Sequence, residues 1–330
     1  MKILLTGGAG YIGSHTATEL LRSGHRVVIV DNLSNSSIDS VRGIEQITGQ
    51  KVIFYECDIL DMSALSNIFR DQKIDAVMHF AGLKAVGESV ASPLLYYRNN
   101  LISTLNLLKT MQDADCRNLI FSSSATVYGM PETLPVTEDS PLSALNPYGY
   151  TKLVQENMLR DIWAADNGWN ITLLRYFNPV GADESGIIGE NPRGIPNNLF
   201  PFIMRVAAGQ LEQLGVFGDD YGTPDGTAIR DYIHVADLAK GHIKALERIG
   251  GLSIYNLGTG RGYSVLECIR MFEKVTGQKI PFAIKPRRAG DAPIIYANPS
   301  KAVTELDWRA EKDLSDMCRD SWNFQNKIIS

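Results

Sequence analysis

The first half of the chain alternates short apolar runs with segments in which apolar residues recur at helical spacing. The apolar runs are continuous rather than interrupted at every second position, which is typical of strands covered on both faces. This repeated order of strand and helix predicts an α/β fold with a doubly wound parallel sheet. The predicted strands are Ile3–Thr6, Val27–Val30, Val52–Tyr55, Ala76–Phe80, Leu119–Phe121 and Ile171–Leu174, and the predicted helices are Ile12–Leu21, Leu65–Phe69, Leu101–Met111 and Val154–Trp163.

The second half of the chain is less regular, because prolines and glycines become frequent after about Tyr176. We therefore predict two closely joined domains, residues 1–176 with the parallel sheet and residues 177–330 as a smaller α/β domain. No clean linker separates them, so we expect some crossing of the chain between the two. Helical spacing returns at Phe202–Gln210, Val235–Ile249 and Val265–Val275.

Composition and charge narrow the class of protein. The chain has 330 residues and a net charge of −5, with no basic cluster larger than Arg287-Arg288, so we expect no nucleic-acid partner. Its isolated cysteines favour a reducing cytoplasm and argue against a metal site or a disulfide scaffold. We also expect no membrane partner, because no signal-like segment is present and no apolar run reaches the roughly 20 residues of a membrane helix. The four cysteines are Cys57, Cys116, Cys268 and Cys318.

A glycine-rich turn joins the first predicted strand to the first predicted helix. Gly7, Gly10 and Gly13 recur at a regular spacing, and Gly8-x-Gly10-x-x-Gly13 is a second match in the same stretch. Residues without a Cβ let backbone N–H groups approach a pyrophosphate at the start of the helix. Because the strand and the helix are both in place, this turn predicts a dinucleotide site on a Rossmann-type fold.

Aspartates close the next two strands. Asp31 ends the second strand, 18 residues after Gly13. A carboxylate at this position accepts hydrogen bonds from the adenosine ribose and repels a 2′-phosphate, which favours NAD over NADP. Asp58 ends the third strand and has the reach to contact the adenine. For both residues the alternative is ordinary turn chemistry at the end of a strand.

A phenol, an ammonium and a hydroxyl form a second candidate group. Tyr148 and Lys152 are four residues apart and share one helix face, whereas Tyr150 has Val154 at that spacing. A nearby ammonium and a cationic nicotinamide favour the phenolate and lower the pKa of Tyr148, which makes it the candidate acid/base. Ser124 is placed to bridge the phenol and a substrate hydroxyl. The alternative is an ordinary helix surface.

Long motifs follow one another along nearly the whole chain. They are TGGAGYIGSH (Thr6–His15), DNLSNS (Asp31–Ser36), HFAGLKAVGES (His79–Ser89), FSSSATVYG (Phe121–Gly129), LRYFNPVGA (Leu174–Ala182), GIPNNL (Gly194–Leu199), RDYIHVADLA (Arg230–Ala239), YNLGTG (Tyr255–Gly260) and PRRAGD (Pro286–Asp291). With these motifs the sequence resembles the extended short-chain dehydrogenase/reductase family, and within it the UDP-glucose 4-epimerase branch.

The resemblance implies roles for the matching residues. Tyr148 would be the acid/base, Lys152 its electrostatic partner and a ribose ligand, and Ser124 its hydrogen-bond partner. NAD would be contacted by these three residues and by Gly7, Gly10, Tyr11, Ile12, Gly13, Asp31, Asn32, Leu33, Ser34, Asn35, Ser36, Asp58, Ile59, Phe80, Ala81, Gly82, Leu83, Lys84, Asn99 and Phe177. The nucleotide sugar would be contacted by Lys84, Ser124, Tyr148, Asn178, Asn198, Leu199, Val216, Phe217, Arg230, Tyr232, Arg288, Asp291 and Ile295.

The implied activity is the NAD-dependent exchange of UDP-glucose and UDP-galactose at C4′ through a transient 4-keto sugar, in a homodimer. Residues 177–330 would then form the nucleotide-sugar domain. The positive charges of Arg230 and Arg288 support a nucleotide-sugar site independently of the resemblance, because guanidinium groups suit a diphosphate. The alternative for a single arginine is solvation at the surface.

Three other functions share this fold. Related 4,6-dehydratases and decarboxylases resemble the chain but carry acidic residues just after the fifth strand, where this sequence has Ala125 and Thr126. Neither side chain can shuttle a proton, which argues against elimination or decarboxylation. A non-catalytic NAD sensor on the same fold tends to lose the Tyr/Lys pair, which is intact here.

Ile295 departs from the pattern of the family. It stands where many members carry a tyrosine that restricts the pocket to glucose and galactose, and where cysteine or serine admits 2-acetamido sugars. Isoleucine is intermediate in bulk and has no hydroxyl, so we expect partial tolerance of N-acetylated UDP-hexoses. The alternative is that Ile295 is neutral packing.

Overall fold

The computed structural model describes residues 1–288 and 291–329. Its strands are β1 (Lys2–Thr6), β2 (Arg26–Asp31), β3 (Ile53–Glu56), β4 (Ala76–His79), β5 (Asn118–Ser124), β6 (Asn170–Tyr176), β7 (Asn178–Val180), β8 (Leu214–Phe217), β9 (Ile229–His234), β10 (Leu252–Leu257), β11 (Gly262–Ser264), β12 (Phe282–Lys285) and β13 (Ile294–Ile295). Its helices are α1 (Tyr11–Arg22), α2 (Ile38–Thr48), α3 (Met62–Gln72), α4 (Val86–Ala91), α5 (Pro93–Asp113), α6 (Pro147–Ala165), α7 (Leu199–Ala207), α8 (Val235–Glu247), α9 (Val265–Thr276), α10 (Ser300–Leu306) and α11 (Leu314–Ile329), with a 3₁₀ turn at Ala125–Tyr128.

A seven-stranded parallel sheet in the order β10-β6-β5-β4-β1-β2-β3 forms the centre of the molecule. Alternate residues of its strands face opposite layers of helices. Ile3 and Leu5 of β1 belong to one buried cluster, and Leu4 belongs to another on the other face. This two-sided burial explains why the strands are continuously apolar, and the prediction of a doubly wound Rossmann-type sheet is confirmed.

The chain crosses back into this sheet from its second half. Strand β10 pairs with β6 at the edge, and α8 packs against α1 on one face. Residue 176 is therefore not a boundary after which all of the chain belongs to the smaller part. The apolar pattern does not predict β10, because this edge strand reads Leu-Ser-Ile-Tyr-Asn-Leu and its first three residues are only partly buried.

The smaller part is built around β9, which pairs with β11 in antiparallel fashion and with β7 and β13 in parallel. Strand β7 begins two residues after β6 ends, so this part lies beyond the carboxyl ends of the large sheet. Open α/β sheets bind their ligands at that edge. Among the described residues, no helix is long and apolar enough to cross a membrane, and no group of His, Cys, Asp and Glu side chains could hold a metal ion.

Candidate active site

The glycine turn between β1 and α1 leaves no room for side chains. Gly7 has a φ of +69°, and a Cβ on it would lie 2.7 Å from the backbone nitrogen of Ala81. A Cβ on Gly13 would lie 2.5 Å from the Gly7 carbonyl oxygen. Helix α1 begins after Gly10, which has no side chain to cap it. The first-turn N–H groups of α1 are thus left for an anionic ligand, which fits a dinucleotide pyrophosphate.

Asp31 ties the end of β2 to the glycine turn. Its buried carboxylate accepts hydrogen bonds from the backbone N–H of Ala9 at 3.1 Å, the N–H of Leu33 at 2.9 Å and the Ser36 hydroxyl at 2.8 Å. These bonds order the segment from Asn32 to Ser36, including Leu33 at a φ of +56°. The carboxylate therefore stabilises the turn after β2, and the end of this strand is also where Rossmann-type folds carry their ribose-binding acid.

Asp58 lies two residues beyond the end of β3 at Glu56, so it does not end the strand as the sequence pattern predicts. Its carboxylate accepts hydrogen bonds from the Asn32 side chain at 3.1 Å and from the backbone N–H of Leu60 at 2.9 Å. The loops after β2 and β3 are thereby joined beside the glycine turn. Ile59 is buried in the core below them.

The loop after β4, which contains Phe80, Ala81, Gly82, Leu83 and Lys84, is held by a residue that the motifs do not single out. Asn100 of α5 accepts a hydrogen bond from the Leu83 N–H at 2.8 Å and donates to the Leu83 carbonyl at 3.0 Å. Its neighbour Asn99 donates to the Asn100 side-chain oxygen at 3.1 Å. The sequence signal for Asn100 is an amide within a helix at a position that the helical pattern turns toward the core. Its partner Leu83 is distant in the sequence, so the pattern does not reveal the contact.

The candidate catalytic side chains meet where α6 crosses the end of β5. Asn146 caps α6 by accepting a hydrogen bond from the Gly149 N–H at 2.9 Å, which orients the first turn with Tyr148. The Tyr148 phenol shares a hydrogen bond with the Ser124 hydroxyl. One helical turn later, the Lys152 ammonium donates to the Ser122 carbonyl at 2.6 Å. The structure therefore brings together all three residues.

The charges around Tyr148 differ from the simplest expectation. Burial raises the pKa of Tyr148, while the hydrogen bond to Ser124 and the positive charge of Lys84 lower it. The sequence pattern points to Lys152 as the cation that lowers this pKa, but in the structure that cation is Lys84. Burial lowers the pKa of Lys152 to about 8, and the negative charge of Glu156 opposes that change.

Glu156 lies one further turn along α6 and is missing from the predicted site. Its fully buried carboxylate accepts hydrogen bonds from the Ser123 hydroxyl at 2.5 Å and from Arg175 at 2.9 and 2.7 Å. The consecutive serines of β5 thus contact α6 residues spaced four apart, ending with Glu156. The spacing of four residues from Lys152 could have identified Glu156. Its partner Arg175 lies on β6, so the ion pair itself leaves no local signal in the sequence.

Residues of the smaller part face the same edge of the sheet. Arg230 donates to Asp291 at 2.7 Å, and the guanidinium of Arg288 lies 3.9 Å from the centre of the Phe217 ring. Asn178 and Asn198 are exposed, and Leu199 is half-buried. Two of the residues predicted to contact the nucleotide sugar, Val216 and Tyr232, are almost fully buried. The Tyr232 phenol forms a hydrogen bond with Cys268. Residues 289–290 of the PRRAGD motif lie outside the described residues.

Ile295 lies on β13, beside Arg230 of β9 in the strand register. Its side chain is 9% exposed and belongs to the same buried cluster as Ala125 and Phe177, which follow β5 and β6. It therefore packs behind the end of the strand that carries Ser124. This location is consistent with a pocket wall and with core packing.

A glycine cradle for a dinucleotide and a tyrosine–serine–lysine group at one sheet edge define a Rossmann-fold enzyme of the short-chain dehydrogenase/reductase class. The model of the NAD dependent epimerase/dehydratase family matches residues 3–258, and the chain belongs to this family. The chain is 57% identical to the UDP-glucose 4-epimerase of Bacillus subtilis, covering 100% of this chain and 98% of that protein.

Solved structures give the same result for the fold. The UDP-glucose 4-epimerase of Bifidobacterium longum, in complex with NAD+ and UDP, superimposes with a TM-score of 0.97 at 55% identity, covering 99% of this chain and 98% of that one. The UDP-Glc/GlcNAc 4-epimerase of Campylobacter jejuni superimposes with a TM-score of 0.85 at 37% identity, and 99% of each chain is covered.

Proposed function

We propose that this protein interconverts UDP-glucose and UDP-galactose by epimerisation at C4′, with NAD as a resident cofactor. The observation that carries the proposal is the Tyr148–Ser124 hydrogen bond beside the glycine cradle. The full-length similarity to UDP-glucose 4-epimerases supports the choice of substrate. NAD would be held by the turn at Gly7–Gly13, by Asp31 and by the loop after β4.

In the proposed reaction, the Tyr148 phenolate removes the proton of the sugar 4′-hydroxyl, and Ser124 orients that hydroxyl or relays its proton. Bound NAD would supply a reversible hydride acceptor at C4′. The sugar would pass through a 4-keto form, and Tyr148 would return the proton to the oxygen at C4′ when that carbon is reduced on its other face. Arg230 and Arg288 bind the diphosphate, so the nucleotide stays fixed while the sugar turns over.

The residues after β5 disfavour the competing reactions. Elimination and decarboxylation need an acid or base near C5 or C6, and the 3₁₀ turn there begins with Ala125 and Thr126. A sensor without catalysis would have no need of the Tyr148–Ser124–Lys152 arrangement. Epimerisation uses these three residues and requires no further acid.

Turnover without added cofactor is the test of the proposed function. We expect purified protein mixed with UDP-galactose to form UDP-glucose with no NAD in the buffer, because the cofactor regains its oxidised form in every cycle. Chromatographic separation of the two UDP-sugars measures the reaction. The proposal fails if NAD is consumed in proportion to product, or if the product is a dehydrated or decarboxylated sugar.

We also propose that the enzyme accepts N-acetylated UDP-hexoses in part, because Ile295 is smaller than tyrosine and lacks its hydroxyl. Turnover of UDP-N-acetylgalactosamine is expected to be detectable but slower than that of UDP-galactose. Ile295→Tyr should abolish the first reaction and retain the second. Ile294→Leu, on the adjacent position that faces the other way along β13, should change neither. Absence of acetamido turnover in the unmodified enzyme would contradict this assignment.

We also propose that the protein forms a homodimer and that it is located in the cytoplasm. Exposed apolar residues line α4 and α5, and those on α5 recur at helical spacing along one face. Such a surface is typical of a protein–protein contact, and a second copy of the chain is the occupant that the family resemblance implies. The molecular mass in solution tests this. The residues are Val90, Leu94, Leu95, Ile102 and Leu105.

A further inference from the structure

Glu190 connects the two sides of the proposed site. It lies in the segment between β7 and α7, and its side chain is 8% exposed. One carboxylate oxygen, Oε1, accepts hydrogen bonds from the Lys84 ammonium at 2.9 Å and from the Asn198 side-chain amide at 3.3 Å. Lys84 follows β4 of the large sheet, and Asn198 immediately precedes α7 of the smaller part. A single carboxylate therefore holds one residue from each side.

Lys84 needs such a partner to remain in place. Its side chain is 48% exposed, and a long, half-exposed lysine spreads over many rotamers unless an ion pair restricts it. The charge of Glu190 raises the pKa of Lys84, so the ammonium stays protonated. Lys84 is also the cation whose charge lowers the pKa of Tyr148. The carboxylate thus acts on the proposed base through an intermediate residue.

The amide of Asn198 is restricted by the same oxygen. Because its Nδ2 group donates to Glu190, its Oδ1 oxygen is the atom left to accept a hydrogen bond from a ligand. Asn198 is exposed at the site edge, so the oxygen is accessible. Tyr11, beside the glycine turn, is another titratable group that the Glu190 charge influences. The carboxylate is therefore close to both proposed ligand sites.

We propose that Glu190 is a positioning residue for the epimerisation proposed above, holding Lys84 beside Tyr148 and presenting Asn198 as an acceptor to the nucleotide sugar. The inference rests on that proposed function. The competing role is a structural tie between two parts of the chain, with no effect through Lys84. In the positioning role, changing Glu190 alters the ionisation of Tyr148 through Lys84, whereas a structural tie leaves that ionisation unchanged.

A double-mutant cycle, read together with pH profiles, separates these roles. Glu190→Gln, Lys84→Met and the double variant are compared for kcat, KM and the pH dependence of kcat/KM with UDP-galactose. We expect each single variant to lower kcat/KM by about 10- to 100-fold, the effect of a lost charge-assisted hydrogen bond. We expect the double variant to match Lys84→Met within about twofold, because glutamine keeps an oxygen that can accept from Asn198 and the lost charge acts through Lys84.

The pH profile provides a readout that a structural tie would not move. Without a fixed Lys84 charge the pKa of Tyr148 rises, so the acidic limb of kcat/KM should shift to higher pH in both single variants. Additive losses in the double variant, or an unmoved acidic limb in Glu190→Gln, would overturn the inference. Glu184→Gln, an exposed carboxylate in the same segment, is the matched control and should behave as the unmodified enzyme.

Two further measurements keep the test decisive. If Glu190→Gln does not fold, Glu190→Asp retains the charge with a shorter reach and should place the acidic limb between the unmodified enzyme and Lys84→Met. Calorimetric binding of UDP-galactose to the same variants does not need turnover. It should show the same non-additive weakening, and additive weakening would overturn the inference even if the proposed reaction itself were disproved.

Discussion

Tyr148→Phe is expected to lower kcat for UDP-galactose by about 10²- to 10⁴-fold, the range that removal of a general acid/base produces. Phenylalanine keeps the ring but removes the hydroxyl that bonds to Ser124. The glycine turn and Asp31 are formed by other elements, so the variant should purify with NAD bound. Steady-state turnover and the nucleotide extracted from denatured protein measure the two effects separately.

Tyr150→Phe is the matched control for this prediction. Tyr150 lies on the same helix but two positions later, about 200° around the helix axis, and it is 47% exposed. Loss of its hydroxyl should leave kcat within about twofold, since exposed substitutions away from special features have small effects. Near-normal activity of Tyr148→Phe would remove Tyr148 from the role of base, and loss of NAD from this variant would show that its effect is on binding.

The pH dependence of the unmodified enzyme should depend on two positive charges near the Tyr148 phenol, the bound nicotinamide and the Lys152 ammonium. Burial raises the pKa of Tyr148, and a cationic nicotinamide in the proposed site would lower it and favour the phenolate near neutral pH. Lys152 loses its proton above a pKa of about 8. The ammonium is therefore present at neutral pH and is lost under alkaline conditions.

The sequence predicted the central sheet well because two-sided burial leaves a direct trace in the pattern. Ile3, Leu4 and Leu5 are all apolar since each faces a helix layer. The edge strand β10 lacks that trace, as does α2, which has only three buried residues. Elements that pack on one side have weaker patterns, and their place in the sheet depends on partners far away in the sequence.

The site was predictable where chemistry requires a fixed local spacing. The glycines need their turn, and Tyr148 and Lys152 need one helical turn between them. Glu190, Asn100 and Arg175 could not be found in this way. Each acts on a residue at least 17 positions distant in the chain, as in the Asn100–Leu83 pair, so only the folded chain brings the partners together.

The ion pair between Glu156 and Arg175 should have the largest effect on stability. Both side chains are fully buried, and Glu156 receives hydrogen bonds from two guanidinium nitrogens. Glu156→Gln leaves Arg175 as a buried charge without its counter-ion. We expect the free energy of unfolding to fall by about 3–5 kcal/mol, the usual effect of breaking a buried pair on one side. Urea unfolding at fixed NAD loading measures it.

The exposed pair Arg42–Asp39 is the matched control. Its nitrogen–oxygen distance of 2.9 Å is close to the 2.7 Å of the buried pair, but both of its side chains are about three-quarters exposed. Asp39→Asn should change the free energy of unfolding by less than about 1 kcal/mol, because water screens the charges. A similar loss in the two variants would show that the distance between charges, rather than their burial, determines the effect.

Neutralising both partners separates stability from catalysis. The double variant Glu156→Gln with Arg175→Met removes the unpaired charge, so it should recover at least half of the stability lost in the single variant. Lys152 would still lack the negative charge that opposes the lowering of its pKa. The alkaline limb of activity should therefore move to lower pH in a protein that folds. A recovered fold with an unchanged alkaline limb would restrict Glu156 to holding α6 against β5 and β6.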